Sequence, residues 1–192
     1  MERALSTPAD DDAEAVTDVV AALESSLYGS SVYSQADLED EWSDLDVERD
    51  ARVVRDGDRI VAYGALREAG DVMQAEGYVH PDAHGRGIGR AIATGLEEDA
   101  VRRGARKIHN RVFEADAPGR DLLASLGYEP VRVFREMRVD LDAPPPAPAW
   151  PGGLRPTPFD PERDARAFHA AHQEAFADHW EFAPRPFDTW AG

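Results

Sequence analysis

Hydrophobic positions change their period several times along this chain, and each change marks an element. Val16, Val20, Leu23 and Leu27 recur at helical spacing, which predicts a helix over residues 7–28 with Thr7 as its cap and Pro8 in its first turn. Gly29-Ser30-Ser31 breaks it, and residues 34–42 read as a shorter helix capped by Ser34. Between 48 and 66 the period falls to two. Ala51, Val53 and Arg55 alternate with Arg52 and Val54, and Arg55-Asp56-Gly57-Asp58 turns the chain into residues 60–66 as a hairpin. A further strand spans 72–80. The helix after it carries Ile88, Ile92, Leu96 and Ala100 on one stripe, turns Glu97, Glu98, Asp99, Arg102 and Arg103 away, and ends at Gly104. Residues 107–113 read as a strand, 116–126 as a helix ended by Gly127, and 128–141 as two strands or one bent one. With a short strand at 3–6 the order is β-α-α-β-β-β-α-β-α-β-β. Three antiparallel strands followed by crossover units predict an α/β fold, a mixed sheet of about seven strands with helices on both faces.

Pro and Gly then punctuate the chain. Residues 1–142 form one predicted domain, and the proline-rich stretch 143–153 reads as a stiff linker. Residues 154–192 repeat the layout of the N-terminus: a short strand, a cap, and a helix bearing Ala167, Phe168, Ala171, Ala175 and Phe176. So short a segment buries no core of its own. It is expected to begin a second copy of the first domain or to pack as a tail. His169, His172 and His179 fall at near-helical spacing, but no carboxylate or cysteine stands at ligand spacing beside them, so no metal is expected.

Charge and composition narrow the function classes. The net charge of −17, from 38 acidic and 21 basic residues, argues against a nucleic-acid partner. Lys107 is the one lysine among the basic residues, and the acids are spread along the whole chain. This pattern reads as a surface adapted to high salt, where screening is strong, in preference to one that recruits a basic partner. Cysteine is absent, which excludes disulfides and thiol nucleophiles. No apolar run approaches the roughly 18 residues of a membrane span, and the N-terminus lacks a signal pattern, so a cytoplasmic protein away from membranes is expected.

The richest chemistry lies in Val79-His80-Pro81-Asp82-Ala83-His84-Gly85-Arg86-Gly87-Ile88-Gly89-Arg90, where a strand meets a glycine-rich turn that opens a helix. Glycines let backbone approach a ligand closely, and the helix N-terminus favours an anion, so the stretch is a phosphate cradle. Its G-x-G-x-G spacing and mid-chain position do not fit the dinucleotide fingerprint, and the lysine of a P-loop is missing. The stretch resembles the acetyl-CoA signature of the GCN5-related N-acetyltransferases, V-x-P-x-x-[RQ]-G-x-G-[IL]-G/A. Leu122-Leu123-Ala124-Ser125-Leu126-Gly127-Tyr128 is similar to that family's leucine-rich helix before its sixth strand. The doubled layout resembles tandem members such as the mycothiol-synthase-like acetyltransferases.

That resemblance implies acetyl-CoA as co-substrate, with backbone around Val79 pairing the pantetheine arm and amides from Gly85 to Arg90 holding the pyrophosphate. The implied cofactor-binding set is Val79, His80, His84, Gly85, Arg86, Gly87, Ile88, Gly89, Arg90 and Asp116, with extra charge from Arg86 or Arg90. Three positions depart from the family pattern. His84 replaces the usual Arg or Gln, which is expected either to weaken the anion site or to make it depend on pH. Leu123 stands where many members have the tyrosine that protonates the thiolate, and Asp116 replaces an asparagine.

Acetyl transfer from a thioester to an amine needs a base, an oxyanion donor and a proton for the thiolate. Glu76, Tyr78 and His80 share one strand face; Glu76 is the candidate base and Tyr78 the candidate acid, beside plainer readings as a solvated acid and a packing ring. His80 and His109 are further candidate proton carriers. Three functions follow. The first is an acetyl-CoA-dependent N-acetyltransferase acting on a primary amine, a small molecule or a protein N-terminus, by direct attack in a ternary complex. The second is a degenerate acetyl-CoA sensor or scaffold, and the third a dimerisation module that uses the tail; a homodimer is compatible with each.

Overall fold

In a computed structural model the described residues are 4–69, 72–135, 137, 139–180, 182 and 184–190. Their contacts divide the chain into two units, Met1–Val131 and Arg132–Gly192.

In the first unit β1 (Leu5–Ser6), a 3-10 turn (Asp10–Asp12) and α1 (Ala13–Tyr28) are followed by α2 (Gln35–Ser43), the short α3 (Val47–Asp50) and β2 (Ala51–Asp56). Then come β3 (Arg59–Ala69), β4 (Val72–Val79), α4 (Ile88–Arg102), β5 (Ile108–Arg111) and α5 (Ala117–Ser125). The sheet runs β1-β2-β3-β4-β5, antiparallel throughout except that β4 and β5, joined by the α4 crossover, are parallel. This is the mixed α/β sheet the periodicity predicts.

Alternation along the strands gives the sheet two cores. On one face Val54, Ala62, Leu66, Met73 and Ala75 meet the α4 stripe Ile88, Ile92, Leu96 and Ala100, all buried. On the other, Ala51, Val53, Tyr63 and Ala65 meet Val16, Val19 and Val20 of α1 and Leu38 of α2. The α4 side is thinned by glycine: a Cβ on Gly64 would stand 2.7 Å from Ile92 Cγ2, and one on Gly77 3.2 Å from it. Helix α4 therefore lies close against the centre of the sheet.

Several expectations change. The described residues hold five strands, not about seven, because none of them in 128–141 joins a ladder. Val131, Val133, Met137, Val139 and Leu141 do alternate as in a strand, yet they are 63–91% exposed. Period two marks a face that a strand can bury, but a strand also needs a partner for its backbone. Thr7 does not cap α1; its hydroxyl donates to the Glu48 carbonyl at 3.3 Å, while the helical turn starts after Ala9, whose N–H donates to Asp12 Oδ2 at 2.7 Å. Ser34 caps α2 as expected, in reciprocal bonds with Asp37.

Asp99 is buried instead of turned out, since Arg52 (2.8 Å) and Arg102 both pair with it. Nearby, Asp50 is buried between Arg49 (2.8 Å) and Arg103 (2.6 Å). Burial opposes the charge on Asp50, but the two guanidinium hydrogen bonds outweigh it and hold the carboxyl below its usual range. These pairs tie α3 and β2 to the end of α4.

In the second unit α6 (Pro161–Ala175) starts at the cap Asp160, which accepts from Glu162 N–H at 3.0 Å, and α7 (Phe187–Trp190) follows. Phe168 contacts Phe159 and Trp190, and His172 stacks on Phe176 at 4.7 Å. His169 Nε2 donates to the Arg185 carbonyl at 2.8 Å. The strand expected near 154 is not found among the described residues, which also contain no group of three side chains placed to hold a metal. No described helix is long and apolar enough to cross a membrane.

Candidate active site

The site begins with the way β4 leaves the sheet. The His80 N–H donates to the Val61 carbonyl at 2.9 Å, and Tyr78 lies opposite Tyr63 and Glu76 opposite Ala65. In an antiparallel ladder this parity directs the backbone of Glu76 and Tyr78 to β3 and that of Gly77 and Val79 toward β5. The β4–β5 ladder, however, ends at Glu76–Arg111. Beyond it the two strands splay, and the backbone of Gly77 and Val79 faces the opening.

A cleft of about 340 Å³ occupies the splay, lined by Gly77 and Val79, by the cradle, by Asn110 and Arg111 of the last two rungs and Val112 beyond them, and by Leu122 and Leu123 of α5. Gly85 and Gly87 have φ of +70° and +77°, with open space where a Cβ would stand, so the turn bares its backbone to the cleft. Gly87 is the N-cap of α4 and contributes no side chain, which leaves the first N–H groups of that helix to whatever the cleft holds.

The expected binding residues divide. Val79, His84, Gly85, Gly87, Ile88, Gly89, Arg90 and Asp116 line the cleft. Arg90 also donates to Ser125 Oγ at 2.7 Å, which anchors its guanidinium at the rim. Arg86 instead pairs with Asp56 at 2.6 Å on the β2–β3 turn, so of the two arginines Arg90 is the one at the cleft. His80 lies with α1 residues Asp18 and Ser25 and with Arg59, whose guanidinium is 2.8 Å from its Nε2. Burial and that guanidinium lower the His80 pKa. His84 Nε2 donates to the Val79 carbonyl at 2.9 Å and so folds the cradle onto the strand end. Gly89 serves packing as well, since a Cβ there would meet Leu122 at 3.0 Å. Asp116 accepts from the Gly119 N–H at 2.9 Å as the cap of α5. Tyr128 lies beside Glu97 and Asn110; burial and the Glu97 carboxylate push it up to about 12.

The opposite face of β4 is polar. Tyr78 donates to Glu76 Oε2 at 3.2 Å and stacks on Tyr63 with centroids 6.3 Å apart. Trp42 Nε1 donates to Tyr63 Oη at 3.1 Å, and Tyr33 donates to Glu41 Oε2 at 3.0 Å. Burial first, then the Glu41 carboxylate, raise Glu76 above its ordinary pKa, against the pull of Arg111, Arg67 and the Tyr78 hydroxyl. The phenols of Tyr33, Tyr63 and Tyr78 are also pushed up, chiefly by burial. Arg111, the register partner of Glu76, lines the cleft, as does Leu23 of α1, so the cleft opens toward this second face.

Glu41, Tyr33, Trp42 and Arg111 were not singled out from the sequence. A signal for Glu41 did exist. On a helix that buries Leu38, residues three and four further on share its face, and those residues are Glu41 and Trp42.

The model of the acetyltransferase (GNAT) family matches residues 17–128, more than half of the chain. The chain belongs to this family. Among curated relatives, a mycothiol acetyltransferase of Frankia casuarinae is 37% identical over 126 residues, 64% of this chain and 36% of that protein. One of Frankia alni is 40% identical over 124 residues, 64% of this chain and 37% of that protein. The matched part of the chain thus spans well under half the length of these curated relatives. A GCN5-related N-acetyltransferase of Sphaerobacter thermophilus superposes with a TM-score of 0.80 at 26% identity, over 98% of this chain and 62% of that one. A Sinorhizobium meliloti phosphinothricin acetyltransferase in complex with acetyl-CoA shares the fold, with a TM-score of 0.58 at 22% identity. Family and fold agree with the reading of the Val79–Arg90 signature.

Proposed function

We propose that this chain is an acetyl-CoA-dependent N-acetyltransferase domain that acetylates a primary amine by direct attack in a ternary complex. The observation that carries this reading is one cleft that runs from the glycine cradle to Arg111, the register partner of Glu76 on β5. The residues present fit the coenzyme: the open backbone at Gly85 and Gly87, the α4 N-terminus and Arg90 suit a pyrophosphate. The splayed edge at Gly77 and Val79 suits an extended arm bearing amides. A cleft of about 340 Å³ is of the size that small-ligand sites take.

When bound, acetyl-CoA supplies an activated acyl group. Backbone N–H groups at the splay would stabilise the developing oxyanion. Glu76, partly buried with a raised pKa, would take the proton from the incoming amine, and the Tyr78 hydroxyl would keep its carboxylate oriented. The mycothiol acetyltransferase names of the relatives favour a small-molecule acceptor over a protein N-terminus. Residues 1–142 would form the catalytic domain, with 143–153 as linker and 154–192 as the start of a second repeat. One observation supports the alternative, an acetyl-CoA sensor or scaffold: Leu123, at the position where the family resemblance implies a tyrosine, lines the cleft and offers it no proton.

Calorimetry with acetyl-CoA, followed by thiol release against a panel of amines in low and high salt, tests the reading. Binding with turnover of at least one amine is expected. Binding without turnover selects the sensor, and absence of binding removes both.

A further inference from the structure

We infer that Glu41 on α2 selects the acceptor, holding it as an alkylammonium ion beside Glu76; this deepens, and rests on, the acetyl-transfer reading above. Helix α2 is fixed on the sheet by Leu38, which is fully buried, and by the bond from Trp42 Nε1 to Tyr63. Glu41 is thereby held, partly buried, in a wall of aromatic rings. Its Oε2 accepts the Tyr33 hydroxyl at 3.0 Å, and Tyr63 and Tyr78 stack nearby. No cation among the described residues pairs with Glu41. Elsewhere in the unit the two buried carboxylates, Asp50 and Asp99, are each matched by two arginines.

A carboxylate partly withdrawn from water and left without a counter-ion favours a cation beside it, and Glu76 is near enough to feel its charge. A bound ammonium ion relieves both carboxylates, and phenol faces add to its attraction. The same charge has a chemical consequence. Glu76 is faced by Glu41 from α2, by Arg67 and Tyr63 from β3, by Arg111 from β5 and by Tyr78 on its own strand. The arginines favour its anion, whereas Glu41 favours its protonated form and so makes it a stronger base once ionised. Glu41 holds the cation that brings the proton, and it strengthens the base that receives it.

The variant Glu41→Gln tests this, because the amide oxygen still accepts the Tyr33 hydroxyl. Tyramine, an alkylammonium ion, is compared with 4-aminophenol, whose amine is neutral at the assay pH. In the wild type, tyramine is expected to be the better acceptor. In the variant its KM rises about tenfold or more, the loss typical of one hydrogen bond to a charged group, and the KM for 4-aminophenol changes less than about twofold. The acid limb of kcat/KM moves to lower pH, acetyl-CoA affinity by calorimetry is unchanged, and Glu41→Asp restores part of the KM and the limb, which a mere packing defect would not do. An unchanged tyramine KM with an unmoved limb overturns the role of Glu41, as does a wild type that prefers 4-aminophenol; in both cases acetyl transfer stands. If the wild type binds acetyl-CoA but releases no thiol with these two amines or with any other of the panel, the acetyl-transfer reading itself falls and takes this role with it.

Discussion

Gly77 and Val79 on one face of β4, and Glu76 and Tyr78 on the other, belong to two different kinds of structure. The first face is thin and apolar: α4 presses on Gly64 and Gly77, and the cradle offers backbone instead of side chains. The second is a stack of phenols and carboxylates from α2, β3 and β4, joined by hydrogen bonds, in which burial raises the pKa of Glu76 and of Tyr78. Period two separates the two sets by one residue, so under the proposed function a single strand would present a binding surface and a proton-handling surface without mixing them. The coenzyme needs shape and donors that do not titrate. The amine needs groups that do.

The most severe way to break this division is to fill the cradle. At Gly87 a side chain must adopt φ near +77° and project into the cleft. Gly87→Glu adds a negative charge where the pyrophosphate is expected, and should abolish acetyl-CoA binding by calorimetry while the fold persists, the melting temperature falling only by the several degrees that about 1–2 kcal/mol of left-handed strain costs. Wild-type affinity in this variant would remove the cradle from the site.

The next largest effect belongs to the other face. Glu76→Gln should lower kcat by about 10² or more, within the span attributed to general base catalysis, and leave acetyl-CoA affinity untouched. In the parent, activity should decline as pH falls through the raised pKa of Glu76, at a pH above the ordinary glutamate value of about 4.3, because protonation removes the base. Loss of cofactor affinity in Glu76→Gln would show that the two faces are not independent.

A smaller effect tests the thinness of the α4 face. The Cβ of Gly64→Ala would stand 2.7 Å from Ile92 Cγ2 and 3.0 Å from Leu96 Cδ1, both buried. Overpacking of this kind costs about 1–3 kcal/mol, and denaturant unfolding should show it with the acid limb of kcat/KM unmoved.

The two faces were also unequally legible in the sequence. The cradle is contiguous: strand, glycines at 85, 87 and 89, and helix lie within twelve residues, so local pattern reveals both fold and ligand class. Glu76 and Tyr78 were legible as a pair because they share a strand. Glu41 and Trp42 were not, since what makes them matter is the packing of α2 on Tyr63, twenty-one residues from Trp42 along the chain. Likewise Arg86 and Arg90 are alike in the motif, and only tertiary partners, Asp56 for one and Ser125 for the other, tell them apart. The strands expected at 128–141 failed for a related reason: alternation reports a side-chain face and is silent on a backbone partner.

The smallest effect decides what Tyr78 does. It was a candidate for the acid that Leu123 does not supply, but its hydroxyl is engaged with Glu76 at 3.2 Å, and burial, followed by the Glu76 and Glu41 carboxylates, pushes its pKa far up. A phenol so reluctant to ionise is a poor proton donor to a thiolate and a good permanent donor to a carboxylate. Tyr78→Phe should therefore reduce kcat only a few-fold, about what one neutral hydrogen bond is worth. It should also move the acid limb of kcat/KM to higher pH, because the Tyr78 bond lowers the Glu76 pKa and its removal lets that pKa rise further. If Tyr78 were instead the acid for the thiolate, the same substitution would cut kcat by about 10² or more, affect the alkaline limb, and leave the acid limb in place.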